Sequence, residues 1–306
     1  MATVNNRIPA FVQPNSQVGE SPLYRDSDNT LHYVDVLGKT INVIQLSGNF
    51  KRRIIKCPEN ITFLAFHRDG GYIVCSFSSI VRVSEDGEWV VQKQIFADTT
   101  GTRLNDGGID STGRLWVGSI DRIGEAIPKF TAEAEEYQAK GCIYRYDPDG
   151  TLAVMQEGGV VTGNGLCWSP NDKLMYFVDS YKNCIWAYDF DAATGTITNK
   201  RVIVSRGNAI GEADGLLTDS DGNLYTFLWE GGAVLKYTAD GDFLQIWHIN
   251  ASRVTHGAWA GHGLRDLVLT SAKLDSESAA WKREEGGALF RISDIGHAGF
   301  RKHLFG

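Results

Sequence analysis

The chain has 306 residues, of which 42% are hydrophobic and 22% charged, with 34 glycines and only 7 prolines. Its formal charge of −7 excludes a phosphate-backbone partner such as nucleic acid, which needs a basic surface, and is compatible with a cation site. No stretch approaches the roughly 20 apolar residues of a membrane span, and the opening MATVNNRIPAFVQPN lacks a signal-peptide layout. A cytoplasmic protein without membrane partners is therefore expected, and glycine and aromatic content favour turns and strands.

In chain order the same pattern recurs: a short apolar strand, a polar Gly/Asn/Asp turn, and an alternating second strand. It reads SPLYRDSDNTLHYVDV from Ser21, FLAFHRDGGYIVCS from Phe63, and RLNDGGIDSTGRLWVGS from Arg103. Further copies are GNGLCWSPNDKLMYFVDS from Gly163, ADGLLTDSDGNLYTFLW from Ala213 and a weaker VTHGAWAGHGLRDLVLTSA from Val254. Third strands follow (KTINVIQL, SIVRVSEDG, GCIYRYDPDG, NCIWAYDFD, GGAVLKYTADG, GALFRISD), then fourth strands such as FLQIWHI. Six units of three to four strands predict an all-β, six-bladed β-propeller, in which radial closure hides the sheet edges. One propeller domain is expected over 1–306. The exception to the strand pattern is PKFTAEAEEYQAK at 128–140. It reads as a short helix, and 121–140 as a candidate lid on the third unit. The five cysteines show no CxxC spacing and are expected to be reduced, buried thiols.

Aligned on the turn, Asn105, Asn164 and Asp214 hold the same position before the first strand of units three to five, with Glu20 one residue before the equivalent Ser21. The position falls at Thr62 in the second unit and at His256 or Gly257 in the sixth. Each Asn or Asp before a small residue is an ordinary turn former when taken singly. A shared register in successive units is not explained by turns, because the turns themselves differ. First strands line a propeller's channel, so Glu20, Asn105, Asn164 and Asp214 are expected to converge on one oxygen-rich, doubly negative site. Buried charge of that kind calls for a cation, and oxygen ligands favour Ca²⁺, Mg²⁺ or Mn²⁺ over zinc.

At GESPLY (19–24), RLNDGGIDSTGRLWVG (103–118), GNGLCWSPNDKLMYFVDS (163–180) and EADGLLTDSDGNLY (212–225) the sequence resembles the senescence-marker-protein/gluconolactonase/luciferin-regenerating family. The resemblance covers about residues 16–303. It implies a six-bladed propeller holding one divalent metal ion, Ca²⁺ first, with Mg²⁺, Mn²⁺ or Zn²⁺ as alternatives. It also implies metal ligands at Glu20, Asn164 and Asp214, substrate contacts at Arg103 and Asn105, and Asp214 as general base. The implied activity is hydrolysis of a sugar lactone to the aldonic acid, by a monomer or weak dimer.

Two stretches depart from the family pattern. Where several members carry an acidic substrate contact, this chain reads GSIDRIGEAI, which offers Asp121 or Glu125. In the last unit, THGAWAG places His256 and Trp259 where small residues are usual, so both are candidates for the pocket wall. No Gly-x-Ser-x-Gly elbow is present, which disfavours serine-hydrolase chemistry. The rival readings are a metal-dependent phosphotriesterase and a calcium-binding regulatory protein.

Overall fold

The computed structural model describes residues 7–273 and 284–306. Six four-stranded antiparallel sheets follow one another along the chain. Blade I comprises Gly19–Arg25, Thr30–Asp35, Thr40–Gln45 and Arg52–Lys56, and blade II Ile61–Phe66, Tyr72–Ser76, Ser79–Val83 and Trp89–Gln94. Blade III is built from Thr102–Ile109, Leu115–Asp121, Gly141–Tyr146 and Leu152–Val160, and blade IV from Gly163–Trp168, Leu174–Asp179, Cys184–Asp191 and Thr196–Ser205. Blade V contains Glu212–Thr218, Leu224–Trp229, Ala233–Tyr237 and Phe243–His248. In blade VI, Arg253–Ala260, Asp266–Ala272 and Leu289–Ile292 are completed by the N-terminal strand Ala10–Val12. That last pairing ties the chain's beginning to its final blade and closes the circle.

The apolar residues separate into six clusters, one at each junction between neighbouring blades. Strands sandwiched between blades are covered on both faces, as the fully buried run Thr30–Asp35 shows. Outer strands face water on one side and are largely exposed, as in Phe243–His248. All five cysteines are buried and unpaired. Among the described residues no helix is long and apolar enough to cross a membrane. The stretch expected to be helical, 128–140, contains only the single turn Ala132–Glu136, and a second turn spans Arg122–Glu125.

One irregularity recurs in every blade. The innermost strand loses register with its neighbour at the same place, between Glu20 and Leu23, Ile61 and Phe63, Leu104 and Gly107, Gly163 and Leu166, Ala213 and Leu216, and Val254 and Gly257. These β-bulges interrupt the two-residue alternation, so consecutive side chains reach the same side of the strand. The equivalent first bulge residues are Ser21, Thr62, Asn105, Asn164, Asp214 and Thr255. In blade VI the position is thus Thr255, not the His256 or Gly257 that turn alignment suggests.

Most of these residues lace neighbouring blades together. Ser21 Oγ accepts from Leu64 N at 3.1 Å, Thr62 Oγ1 donates to Asn105 O at 2.8 Å, and Asn105 Nδ2 to Gly163 O at 3.0 Å. Asn164 Nδ2 donates to Ser180 Oγ, which donates to Ala213 O, and Thr255 Oγ1 donates to Gly19 O at 2.6 Å. The second bulge positions of blades IV and V are glycines. A Cβ on Gly165 would lie 2.3 Å from Leu216 N, and one on Gly215 would lie 2.5 Å from the His256 ring. Both neighbours are fixed, so Gly165→Ala should destabilise the fold by about 2 kcal/mol or more. Urea or thermal unfolding measures this, and near-unchanged stability would show that the two inner strands can separate.

Candidate functional site

A cavity of about 260 Å³ opens at the end of the propeller where inner strands begin and second strands finish. Glu20, Arg103, Asn105, Asp106, Glu125, Asn164, Glu212 and Asp214 supply its polar wall, and Phe77, Ile120 and Trp229 part of its apolar wall. Glu20, Asn105, Asn164 and Asp214 therefore meet in one place, as their shared register requires. Asp106 joins them because the blade III bulge turns it to the same side as Asn105. Sequence alternation alone sends Asp106 to the opposite face, and only the bulge register could have identified it.

The side chains at the cavity differ in how their polar atoms are used. Asn164 commits its amide nitrogen to Ser180, leaving its carbonyl oxygen for the cavity. Arg103 spans the wall, donating to Asn105 Oδ1 at 2.7 Å and to Leu104 O, with its guanidinium 4.8 Å from the Phe77 ring centre. Burial brings its pKa down to about 10 against the pull of Glu125. Asp106 takes the Gly107 N–H on Oδ1, while its buried Oδ2 has no hydrogen-bond partner. Beneath it, His256 Nε2 lies 3.4 Å from Oδ2, and Gly257 N–H donates to Nδ1 at 2.7 Å.

Burial, with repulsion from Asp214 and Asp106, raises the pKa of Glu20 well above the usual carboxylate range. Asp214 is raised in the same way, by burial first and Asp106 next, with partial relief from an Asn164 hydrogen bond. Three carboxylates compressed into one cavity, one with an orphaned buried oxygen, form a cluster that a cation would stabilise. Among the described residues, Glu20, Asp106, Asn164 and Asp214 offer oxygen ligands at the cavity, so they fit a hard divalent ion. Glu20, Asn164 and Asp214 are the residues that could hold one.

Other expected contacts lie elsewhere. Asp121 is buried and caps the Arg122–Glu125 turn through Ile123 N and Gly124 N. Its second oxygen accepts from Tyr137 OH at 2.9 Å and Lys140 N at 2.8 Å, so no lone pair faces the cavity. Glu125, on the same turn, lines the cavity instead and accepts from Thr162 Oγ1 at 3.1 Å. His256 is buried below the cavity floor, stacked at 5.6 Å on Phe227, and Trp259 donates to Thr218 O at the opposite end of the channel. Neither forms the cavity wall, because the bulge in their strand puts Thr255 at the register position. Segment 122–140 runs along the rim, where Tyr181 OH donates to Ile127 O at 2.9 Å and Lys129 pairs with Glu212 at 2.6 Å.

Fold and cavity together define a six-bladed propeller with a carboxylate-rich pocket on its axis. Residues 18–273 match the family described as "SMP-30/Gluconolactonase/LRE-like region", and the chain belongs to it. A regucalcin from Danio rerio is 26% identical, with 98% of each chain covered. A solved luciferin-regenerating enzyme is also 26% identical, covers 96% of both chains and superposes with a TM-score of 0.84. A structure of a calcium-binding protein, regucalcin from Agrobacterium tumefaciens, gives a TM-score of 0.85 at 22% identity over 98% of both chains, a likeness of fold.

The raised carboxylates carry a pH consequence for the metal-free protein. A carboxyl whose pKa is raised on folding binds more protons folded than unfolded, so stability falls as pH rises from the unfolded value through the raised one. Metal-free wild type should therefore lose stability relative to Glu20→Gln as pH rises above about 4.5, the ordinary glutamic acid value. Parallel melts of chelator-treated proteins measure it; equal pH dependence would show that Glu20 is solvated in solution.

Proposed function

We propose that this protein is a divalent-metal-dependent hydrolase of a sugar lactone, producing the aldonic acid. The carrying observation is the meeting of Glu20, Asp106, Asn164 and Asp214, from four inner strands, in one polar cavity beside a guanidinium. Membership of a family named in part for gluconolactonase supports the substrate class. The calcium-binding relative supports Ca²⁺ as the first ion to test.

When bound by Glu20, Asn164 and Asp214, the cation supplies Lewis-acid polarisation of the lactone carbonyl and stabilises charge developing on its oxygen. Asp214 withdraws a proton from the attacking water, a role suited to a carboxylate whose basicity burial raises. Arg103 and Asn105, bonded to each other, hold ring hydroxyls on one wall. Glu125 takes the acidic contact that the sequence also offered to Asp121. The apolar surfaces of Phe77, Ile120 and Trp229 face the sugar's carbon skeleton, and segment 122–140 shields the mouth from bulk water. A phosphotriester is the less favoured substrate, because acidic Glu125 and Glu212 at the rim suit a hydroxyl-rich ring. In this reading the site operates on small molecules in the cytoplasm.

Aldonolactones assayed with Ca²⁺, Mg²⁺, Mn²⁺ and Zn²⁺ after chelation test the proposal. Metal-restored hydrolysis of five- or six-membered sugar lactones is expected; phosphotriester turnover without lactone turnover would replace the reading. Asp214→Asn keeps an oxygen of similar size but removes the base. At saturating metal, kcat should fall about 100-fold or more. A near-normal kcat would leave Asp214 as a ligand only. For Arg103→Ala, KM for hydroxylated lactones should rise about 10-fold or more while metal affinity changes little. Loss of metal at unchanged KM would reverse that assignment.

A further inference from the structure

The end of the propeller opposite the carboxylate cavity is crossed by the C-terminal segment. Ser220 N donates to Ala298 O at 2.8 Å and Gly299 N to Leu264 O at 2.9 Å, anchoring it to turns of blades V and VI. Arg68 N donates to Phe305 O and Gly306 N to Gly113 O, fixing its end on blades II and III. Phe305 is buried between the His67 and Tyr146 rings, so His67, read from sequence as a solvated turn residue, is half-buried. Two cavities of about 430 and 250 Å³ open along this anchored segment, and the larger has the size of a small-molecule site.

The larger cavity departs from the acidic character of the chain. Arg25, Arg68, Arg301 and Lys302 line it against Asp26 and Glu85, two positive charges in excess on a chain of formal charge −7. Arg25 pairs with Asp28 and Glu85, and Arg301 with Asp26. Asp28 and Arg53 join that network without lining the cavity, and they offset each other. Burial lowers the pKa of His67, which therefore adds no charge near neutral pH. Among the described residues, Arg68 and Lys302 form no ion pair. Lys302 is half-buried and lines both cavities, so its ammonium is partly desolvated with no acid beside it. Phe66, Trp259 and Phe300 add aromatic faces to the same cavity. Trp259 is held by its bond to Thr218 O at 2.8 Å and by edge-on packing against Tyr225 at 5.1 Å. Gly299 lies so close to its ring that a Cβ there would overlap it. Phe300 stays exposed.

We propose that this cavity binds a small organic phosphate whose carbon portion is a flat ring, of the nucleoside monophosphate type. The two unpaired cations match the nearly double charge of a phosphate monoester, Arg68 through its planar fork and Lys302 as a point charge. The aromatic faces take the ring. A sugar acid has one charge and no flat face, so it matches neither feature. The inference is independent of the cation and lactone readings.

Titration calorimetry on the full chain, with chelator present so that no metal captures phosphate, tests the site. The probes are adenosine 5′-monophosphate, adenosine, ribose 5-phosphate and inorganic phosphate. The monophosphate should bind, adenosine should not, and the two ring-free phosphates should bind about 10-fold more weakly or worse. Lys302→Gln and Arg68→Gln should each raise Kd for the monophosphate about 10-fold or more, and added salt should weaken wild-type binding. Arg103→Ala, altered at the other end of the propeller, should bind it as wild type does. Arg68 is exposed, so its variant keeps the test open should Lys302→Gln not fold. Wild type that fails to bind the monophosphate, or binds adenosine equally well, would overturn the proposal. So would an unchanged Kd in both far-end variants, or loss of binding in Arg103→Ala alone.

Discussion

The repeated β-bulge is the constraint from which the rest of this molecule follows. A regular inner strand would send alternate side chains toward the channel and toward a neighbouring blade. With a bulge at the same register in six strands, a ring of polar side chains forms at one level of the axis. Ser, Thr and Asn in that ring can donate or accept, and they lace each blade to the next. Asp214, acceptor-only when ionised, supplies no link of that kind. The position that makes an interblade tie elsewhere is thereby freed in blade V to make a site. Gly165 and Gly215 let the inner strands approach closely at the next level, so that Asp106 and His256 occupy the axis there.

The same residue type serves opposite purposes at two levels of the blade. Asp110 and Asp219 sit in the turns after inner strands of blades III and V, buried, and each is saturated with donors. Asp110 accepts from Thr112, Arg114 and Trp116 Nε1, while Asp219 accepts from Asp221 N, Asn223 and Tyr225 OH. With donors on every side, these carboxylates act as rivets between turn and strand. At the channel, donors are scarce and carboxylates face one another. Asp219, Asp221 and His297 do come together at the far end, but the donors already on Asp219 account for that cluster. Saturation, more than acidity or burial, separates the structural aspartates from those of the cavity.

What was legible in the sequence follows from this division. Strand–turn–strand periodicity repeats in every unit, so the six blades and their inner strands could be read directly. Convergence of Glu20, Asn105, Asn164 and Asp214 was legible because they share a repeat register. Asp106 was not, because a bulge leaves no mark in a two-residue alternation. Asp121 resembled a cavity acid but caps a helix of one turn, too short to show a periodic pattern.

The two ends of the channel are consequently unlike. At one, the rim is set by the ends of second strands and by segment 122–140, which spans blades III to V through Tyr181 and the Lys129–Glu212 pair. At the other, the C-terminal segment binds turns from several blades, with Arg301 pairing to Asp26 of blade I. Among the described residues the cavity carboxylates are therefore approached from the end that Arg103 and Glu125 line.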